Sequence, residues 1–177
     1  MSGIRLVTRL LAFALFLCGT CVLTLVLLAA DRVRKQPTDK NAWATFCFRQ
    51  ACRCLGWQVQ VHGQPASGNA LYVANHISWS DIPALGSLTP LRFLSKAEVG
   101  NWPVIGWLAR QAGTLFIKRG GGQARRIKKT MVEHLQAGES VLVFPEGTTS
   151  SGLAVLPMHG LLLTAARDAG VPVQPVT

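Results

Sequence analysis

Acid is what this chain has least of. Eight Asp and Glu stand against eighteen Lys and Arg, for a formal charge of +10. That imbalance favours anionic partners: nucleic acid, an anionic membrane surface, phosphorylated substrates or an acidic carrier protein. No helix-turn-helix, zinc-finger or RNP-like segment accompanies the cations, which ranks nucleic acid far below the others. Metal-type cysteine spacing is also missing. The five cysteines, Cys18, Cys21, Cys47, Cys52 and Cys54, all lie early and form no two-pair zinc pattern, so no metal site is expected. Their odd number argues against a complete disulfide framework and agrees with a reducing cytosol. Internal repeats, low-complexity tracts and interdomain linkers are absent, and 177 residues suit one domain with a real core.

Charge is wholly absent from residues 10–30, and about 20 apolar residues suffice to cross the hydrocarbon of a bilayer as a helix. We read residues 1–35 as a membrane anchor. A cleaved signal peptide is the rival, since Arg5 and Arg9 precede the run, but the run is longer than an ordinary signal core. Leu28 is also a poor residue three before a cut at Ala30. A buried core helix is disfavoured because nothing polar marks an outer face. Arg32, Arg34, Lys35 and Lys40 slightly outweigh the positive charges before the span, which predicts the inner membrane with the following domain on its cytoplasmic face. A monotopic helix held by the same cations leaves the domain equally close to lipid.

Residues 36–56 carry Trp43, Phe46, Phe48 and Leu55 among Arg49 and Arg53 and predict an amphipathic connecting helix. It could rest on the membrane or on the domain. Residues 57–177 then form the main domain. Trp57-Gln58-Val59-Gln60-Val61 alternates at period two and predicts a strand that could pair as a hairpin with a second strand at 70–74. Further on, strands are expected at 92–94, 114–117, 140–144 and 171–176, and helices at 103–111, 123–137 and 160–169. Ile127, Met131 and Leu135 recur every fourth residue on one helical face. This alternation predicts an α/β fold with a mixed, mainly parallel central sheet flanked by helices.

Three segments carry candidate chemistry. The strand at 71–74 runs into Asn75-His76-Ile77-Ser78-Trp79-Ser80-Asp81, and strand ends are where α/β proteins commonly place reactive groups. On one continuous helix His76 and Asp81 would lie about 140° apart, so they can meet only if His76 is in a loop. Ser78, Ser80 and Asp81 are good N-caps and Pro83 suits a first turn, which starts the helix near Asp81. The Asp81 carboxylate could then accept the Nδ1 proton and leave Nε2 as a base. Taken alone the spacing is weak, and a locally bonded His beside a capping Asp stays open.

A second segment, Phe144-Pro145-Glu146-Gly147-Thr148-Thr149-Ser150, ends an apolar strand in a carboxylate, a glycine and hydroxyls. Gly147 would admit close approach of a ligand, though an ordinary turn with a solvated Glu146 stays open. In a third, Gly113 to Arg119, a strand ends in Lys118 and Arg119. Arg119 could hold a phosphate through two donors or form the solvated edge of a glycine-rich loop. A further basic run, Arg125, Arg126, Lys128 and Lys129, could dock an acidic carrier or anionic lipid, or be a solvated helix face.

In this order the segments resemble the glycerolipid acyltransferases of the lysophosphatidate acyltransferase type. The four blocks are N-H-x-S-x-x-D at 75–81, G-x-x-F-I-x-R at 113–119, F-P-E-G-T at 144–148 and V-P-V-x-P-V at 171–176. The resemblance implies transfer of an acyl chain from acyl-carrier protein or acyl-CoA to the free hydroxyl of 1-acyl-glycerol-3-phosphate, giving phosphatidate, with no cofactor. It implies His76 as general base oriented by Asp81, Arg119 on the acceptor phosphate, Glu146, Gly147 and Thr148 at its glycerol part, and added charge from Lys96. Met158-His159-Gly160 stands where the family often has an aromatic-Lys-x-Gly stretch, and the chain stops at Thr177, where relatives usually continue. We therefore expect a domain short at its C-terminus. Two alternatives stay open: another acceptor such as lyso-ornithine lipid, or a non-catalytic lipid-binding relative.

Overall fold

The computed structural model describes residues 3–34, 38–118 and 123–177. Helix α1, Gly3–Arg34, is long and apolar enough to cross a membrane. It packs along α2, Lys40–Leu55, through the small, buried Thr20 and Thr24. Trp43 donates its indole N–H to Thr24 Oγ1 at 3.4 Å. Both ends of α2 are capped. The Asp39 carboxylate accepts from Asn41 N–H at 2.9 Å and Ala42 N–H at 3.2 Å. At the other end Gly56 takes a left-handed φ of 70°, and Gly56 and Trp57 return their amides to Arg53 and Cys52.

Five strands follow: β1 Leu71–Ala74, β2 Arg92–Lys96, β3 Leu115–Ile117, β4 Val141–Val143 and β5 Val173–Val176. Their order is β3-β2-β4-β1-β5 and every pairing is parallel, the limiting case of the sheet expected. Parallel neighbours need long crossovers, and helices supply them. The crossovers hold α3 Asp81–Gly86, a 3₁₀ turn Ala97–Asn101 with α4 Ile105–Gln111, α5 Gln123–Gln136 and α6 Gly160–Ala169. α4 starts two residues later than the sequence suggests because Val104 has φ 60°, a conformation no helix can include.

Strand alternation sorts the core into two layers. Leu71, Val73, Val141 and Val143 face α5 and α6, meeting Met131, Leu135, Ala165 and Ala166. Tyr72 and Leu142 point the other way, with Phe93, towards Phe48 of α2 and Ile82 and Leu85 of α3. Burial on both faces explains why β1 and β4 read as unbroken apolar runs.

One expectation fails. Residues 57–61 form no strand and no hairpin, and Val59 and Val61 are exposed. The reason lies in the sheet: β1 is bonded to β4 on one side and β5 on the other, so it has no edge left to pair.

At the amino ends of the strands, Glu139 draws three elements together, α2, β2 and α5. It takes the Arg92 guanidinium through two bonds of 2.5 Å, His134 Nδ1 at 2.6 Å and the Asn41 amide at 3.3 Å. Arg92 also donates to the Gly113 carbonyl at 3.0 Å. The Arg92 bonds, ahead of His134, hold the Glu139 carboxyl down at about 2. This cluster ties α2 and α5 to the sheet at the end opposite the candidate site.

Candidate active site

Parallel strands deliver their carboxyl ends to one edge, so the candidate residues converge without being neighbours in sequence. His76 lies in the loop after β1, Lys96 ends β2, Lys118 follows β3, and Glu146, Gly147 and Thr148 follow β4. Together with Glu98 and His159 they line one open groove of about 1350 Å³. Arg119 lies outside the described residues, so its position is not part of this geometry.

His76 sits in a loop and Asp81 is the first residue of α3. Asp81 Oδ2 accepts from His76 Nδ1 at 2.8 Å, Ile77 N–H at 2.8 Å and Ser78 N–H at 3.0 Å. Three donors on one oxygen suit a carboxylate, and they place the imidazole proton on Nδ1. Nε2 is thereby left as an acceptor at the groove. The ring is stacked on Phe144 with centroids 4.1 Å apart and planes inclined by 19°. Ser150 N–H donates to the His76 carbonyl at 2.7 Å, which joins the loop after β1 to the loop after β4.

Glu146 is not the solvated side chain of an ordinary turn: only 5% of it is exposed. Its Oε2 accepts from Leu156 N–H at 3.3 Å, whereas Oε1 is buried without a hydrogen-bond partner. A buried, unmatched acceptor is costly, and its place on the groove wall suits a ligand that brings a donor. Gly147 has φ 67°, the left-handed conformation that turns the chain after Glu146.

The remainder of the groove is apolar. Phe13, Phe16 and Leu17 of α1, Trp43, Cys47 and Phe48 of α2, and Trp102 and Ile105 near α4 form much of its wall. Burial pushes the Cys47 thiol up to about 11, so the wall keeps it uncharged. Among the described residues, no group of three His, Cys, Asp or Glu is placed to hold a metal ion. On the basic face of α5, Lys128 is paired with Asp168 at 2.6 Å, while Arg125, Arg126 and Lys129 are exposed.

Sequence reasoning gave Phe144 and Lys118 no part in the site, read the α1 residues only as a membrane anchor and read Ser150 only as one of the hydroxyls after the strand. Ser150 acts through its backbone, which leaves no side-chain signal. Phe144 belonged to a recognised block but its stacking depends on where β4 lies beside β1. Nothing in an apolar span marks which of its residues will line a groove.

The Acyltransferase family model matches residues 58–177. A lyso-ornithine lipid O-acyltransferase from Pseudomonas aeruginosa is 53% identical over 125 residues, covering 71% of this chain and 48% of the relative. A 1-acyl-sn-glycerol-3-phosphate acyltransferase from Neisseria gonorrhoeae is 42% identical over 141 residues, covering 77% of this chain and 55% of the relative. The chain thus spans about half the length of the curated relatives it matches. Among solved structures, the 1-acyl-sn-glycerophosphate acyltransferase PlsC from Thermotoga maritima superposes with a TM-score of 0.64 at 27% identity. That likeness covers 96% of this chain and 73% of the other.

Proposed function

The chain belongs to the acyltransferase family, and from that premise we propose that it moves a fatty acyl group from a thioester donor to the free hydroxyl of a lysolipid. The observation that carries the reading is His76, with Nδ1 committed to Asp81 and Nε2 left for the groove. Nε2 takes the proton of the acceptor hydroxyl as its oxygen attacks the thioester carbonyl carbon. The tetrahedral intermediate then expels the thiolate, which recovers the proton from the imidazolium. Asp81 holds the ring and stabilises its charged form. No acyl-enzyme is needed.

Glu146 Oε1 accepts a hydrogen bond from the acceptor, and Gly147 and Thr148 admit its polar part beside His76. Lys96 and Arg119 supply positive charge for an anionic headgroup. The relative at 53% identity favours lyso-ornithine lipid as acceptor. A second reading, 1-acyl-glycerol-3-phosphate, is favoured by Lys96 and Lys118, which both line the groove. The donor is acyl-carrier protein or acyl-CoA. We further propose that residues 1–35 anchor the chain, 36–56 connect, and 57–177 form the acyltransferase domain on the cytoplasmic face of the inner membrane, as the cation count about the span favours.

The test is a panel of lysolipids in vesicles with labelled acyl-carrier protein and acyl-CoA, products being resolved by mass spectrometry. Acylated product from the full chain, lost in His76→Ala, supports the reading. Lysolipid binding without transfer from either donor would overturn it in favour of a lipid-binding relative.

A further inference from the structure

We propose that the loop 151–158, together with Ile77 and Trp79, inserts into the bilayer beside α1 and forms a second membrane contact at the mouth of the groove. The proposal rests on the reading of α1 as a membrane helix.

The loop carries its apolar side chains outward. Leu153 is 93% exposed, Val155 63% and Met158 44%, and no charged residue occurs between Gly147 and Met158. Trp79 at 61% and Ile77 at 48% continue the patch on the neighbouring loop. Large apolar side chains gathered in this way mark a surface that meets something other than water.

The loop is also held in place. Ser150 N–H bonds the His76 carbonyl, Leu156 N–H bonds Glu146 Oε2, and His159 N–H bonds the Pro145 carbonyl. Gly152 lies so close to Ile77 that a Cβ there would stand 3.1 Å from its Cδ1. The exposed side chains therefore project from a backbone fixed to both candidate catalytic loops.

Continuity with α1 identifies the occupant as lipid. Trp79 packs on Trp57, with ring centroids 5.3 Å apart. Trp57 follows Gly56, and the Arg9 guanidinium of α1 occupies the space a side chain at Gly56 would need. The loop, Trp79 and Trp57 thus lead to Arg9 in the first turns of α1, the helix whose Phe13 and Phe16 share the groove wall with Trp79. Tryptophans at such a margin suit the boundary between headgroups and acyl chains. Sinking this rim would open the groove to lipid arriving sideways, so the acceptor's acyl chain would not cross water to reach His76.

The test uses the full chain in vesicles and the double variant Leu153→Asp/Val155→Asp, neither residue being part of the groove wall. Each is assayed with a long-chain lysolipid embedded in the vesicles and with a short-chain, water-soluble lysolipid. The expected result is an apparent KM raised about tenfold or more for the embedded acceptor, given the transfer free energy of two such side chains. The soluble acceptor should be used at an unchanged rate. A parallel fall with both acceptors, the sign of a surface covered by protein, overturns the proposal, and so does no change with either. Leu153→Trp supplies a readout without turnover: added fluorescence quenched by lipids brominated on their acyl chains supports insertion, and unquenched emission overturns it. Failure of acyl transfer in the parent chain would remove the proposed function and leave this quenching result to decide the membrane contact.

Discussion

The backbone N–H of Ser150 donates to the carbonyl oxygen of His76 at 2.7 Å, binding the loop after β1 to the loop after β4. The two strands are direct neighbours in the sheet, and the bond links the loops that leave them, outside the ladder itself. His76, stacked on Phe144, is thereby tied to the loop that carries Glu146 at the mouth of the groove.

His76→Ala is expected to lower kcat by about 10²–10⁴-fold, the ordinary worth of a positioned general base. Asp81→Asn should lower kcat in the same range with little change in acceptor KM, because an amide cannot stabilise the imidazolium. Steady-state kinetics on both variants, with lipid binding measured alongside, checks this. An intact kcat in His76→Ala would remove the base from the mechanism.

Glu146→Gln keeps an oxygen for Leu156 N–H but ends the acceptor character of the unmatched Oε1. We expect the KM for the lysolipid to rise about tenfold, in line with one buried hydrogen bond, while the donor KM holds. Gly147→Ala should cost stability as well, about 1–2 kcal/mol for a side chain forced to φ 67°. Thermal unfolding and acceptor titrations separate the two effects.

Stability should fall in acid through Glu139. Its carboxyl is held at about 2, below its ordinary 4.5, chiefly by the Arg92 hydrogen bonds. A depressed carboxyl contributes stability that is fully present above the ordinary value and is lost as the pH falls towards 2. Glu139→Gln should therefore destabilise at neutral pH, by about 1–3 kcal/mol, and flatten the loss across that window. Denaturant melts of both proteins between pH 7 and pH 2.5 measure it.

Leu142→Ala tests the core between the sheet and α2. Leu142 is fully buried in the central strand against Phe93 and Phe48. Its truncation should cost about 2–5 kcal/mol, a large share of the stability of a single domain. An effect below 1 kcal/mol would mean that the groove side of the sheet collapses readily around the cavity.

Much of the fold was legible because its signals are local. The spacing of Ile127, Met131 and Leu135 placed α5 and its buried face, and all three are inside. Asp81 begins α3, where the capping residues and Pro83 put the start of a helix. The alternation at 57–61 misled, because period two reports a strand-like face and says nothing of whether a sheet edge is free to receive it.

Apart from the strand expected at 57–61, the sequence by itself determined the main helices and strands, their α/β order and the blocks that group His76, Asp81, Glu146 and Gly147 as candidates. Only the tertiary structure decided that β1 lies between β4 and β5, that Phe144 stacks on His76, that Glu146 is buried with an unmatched oxygen, and that α1 lines the same groove. Periodicity and capping act within a few residues along the chain. Sheet order and groove walls are set by packing among segments far apart in sequence, which no local pattern encodes.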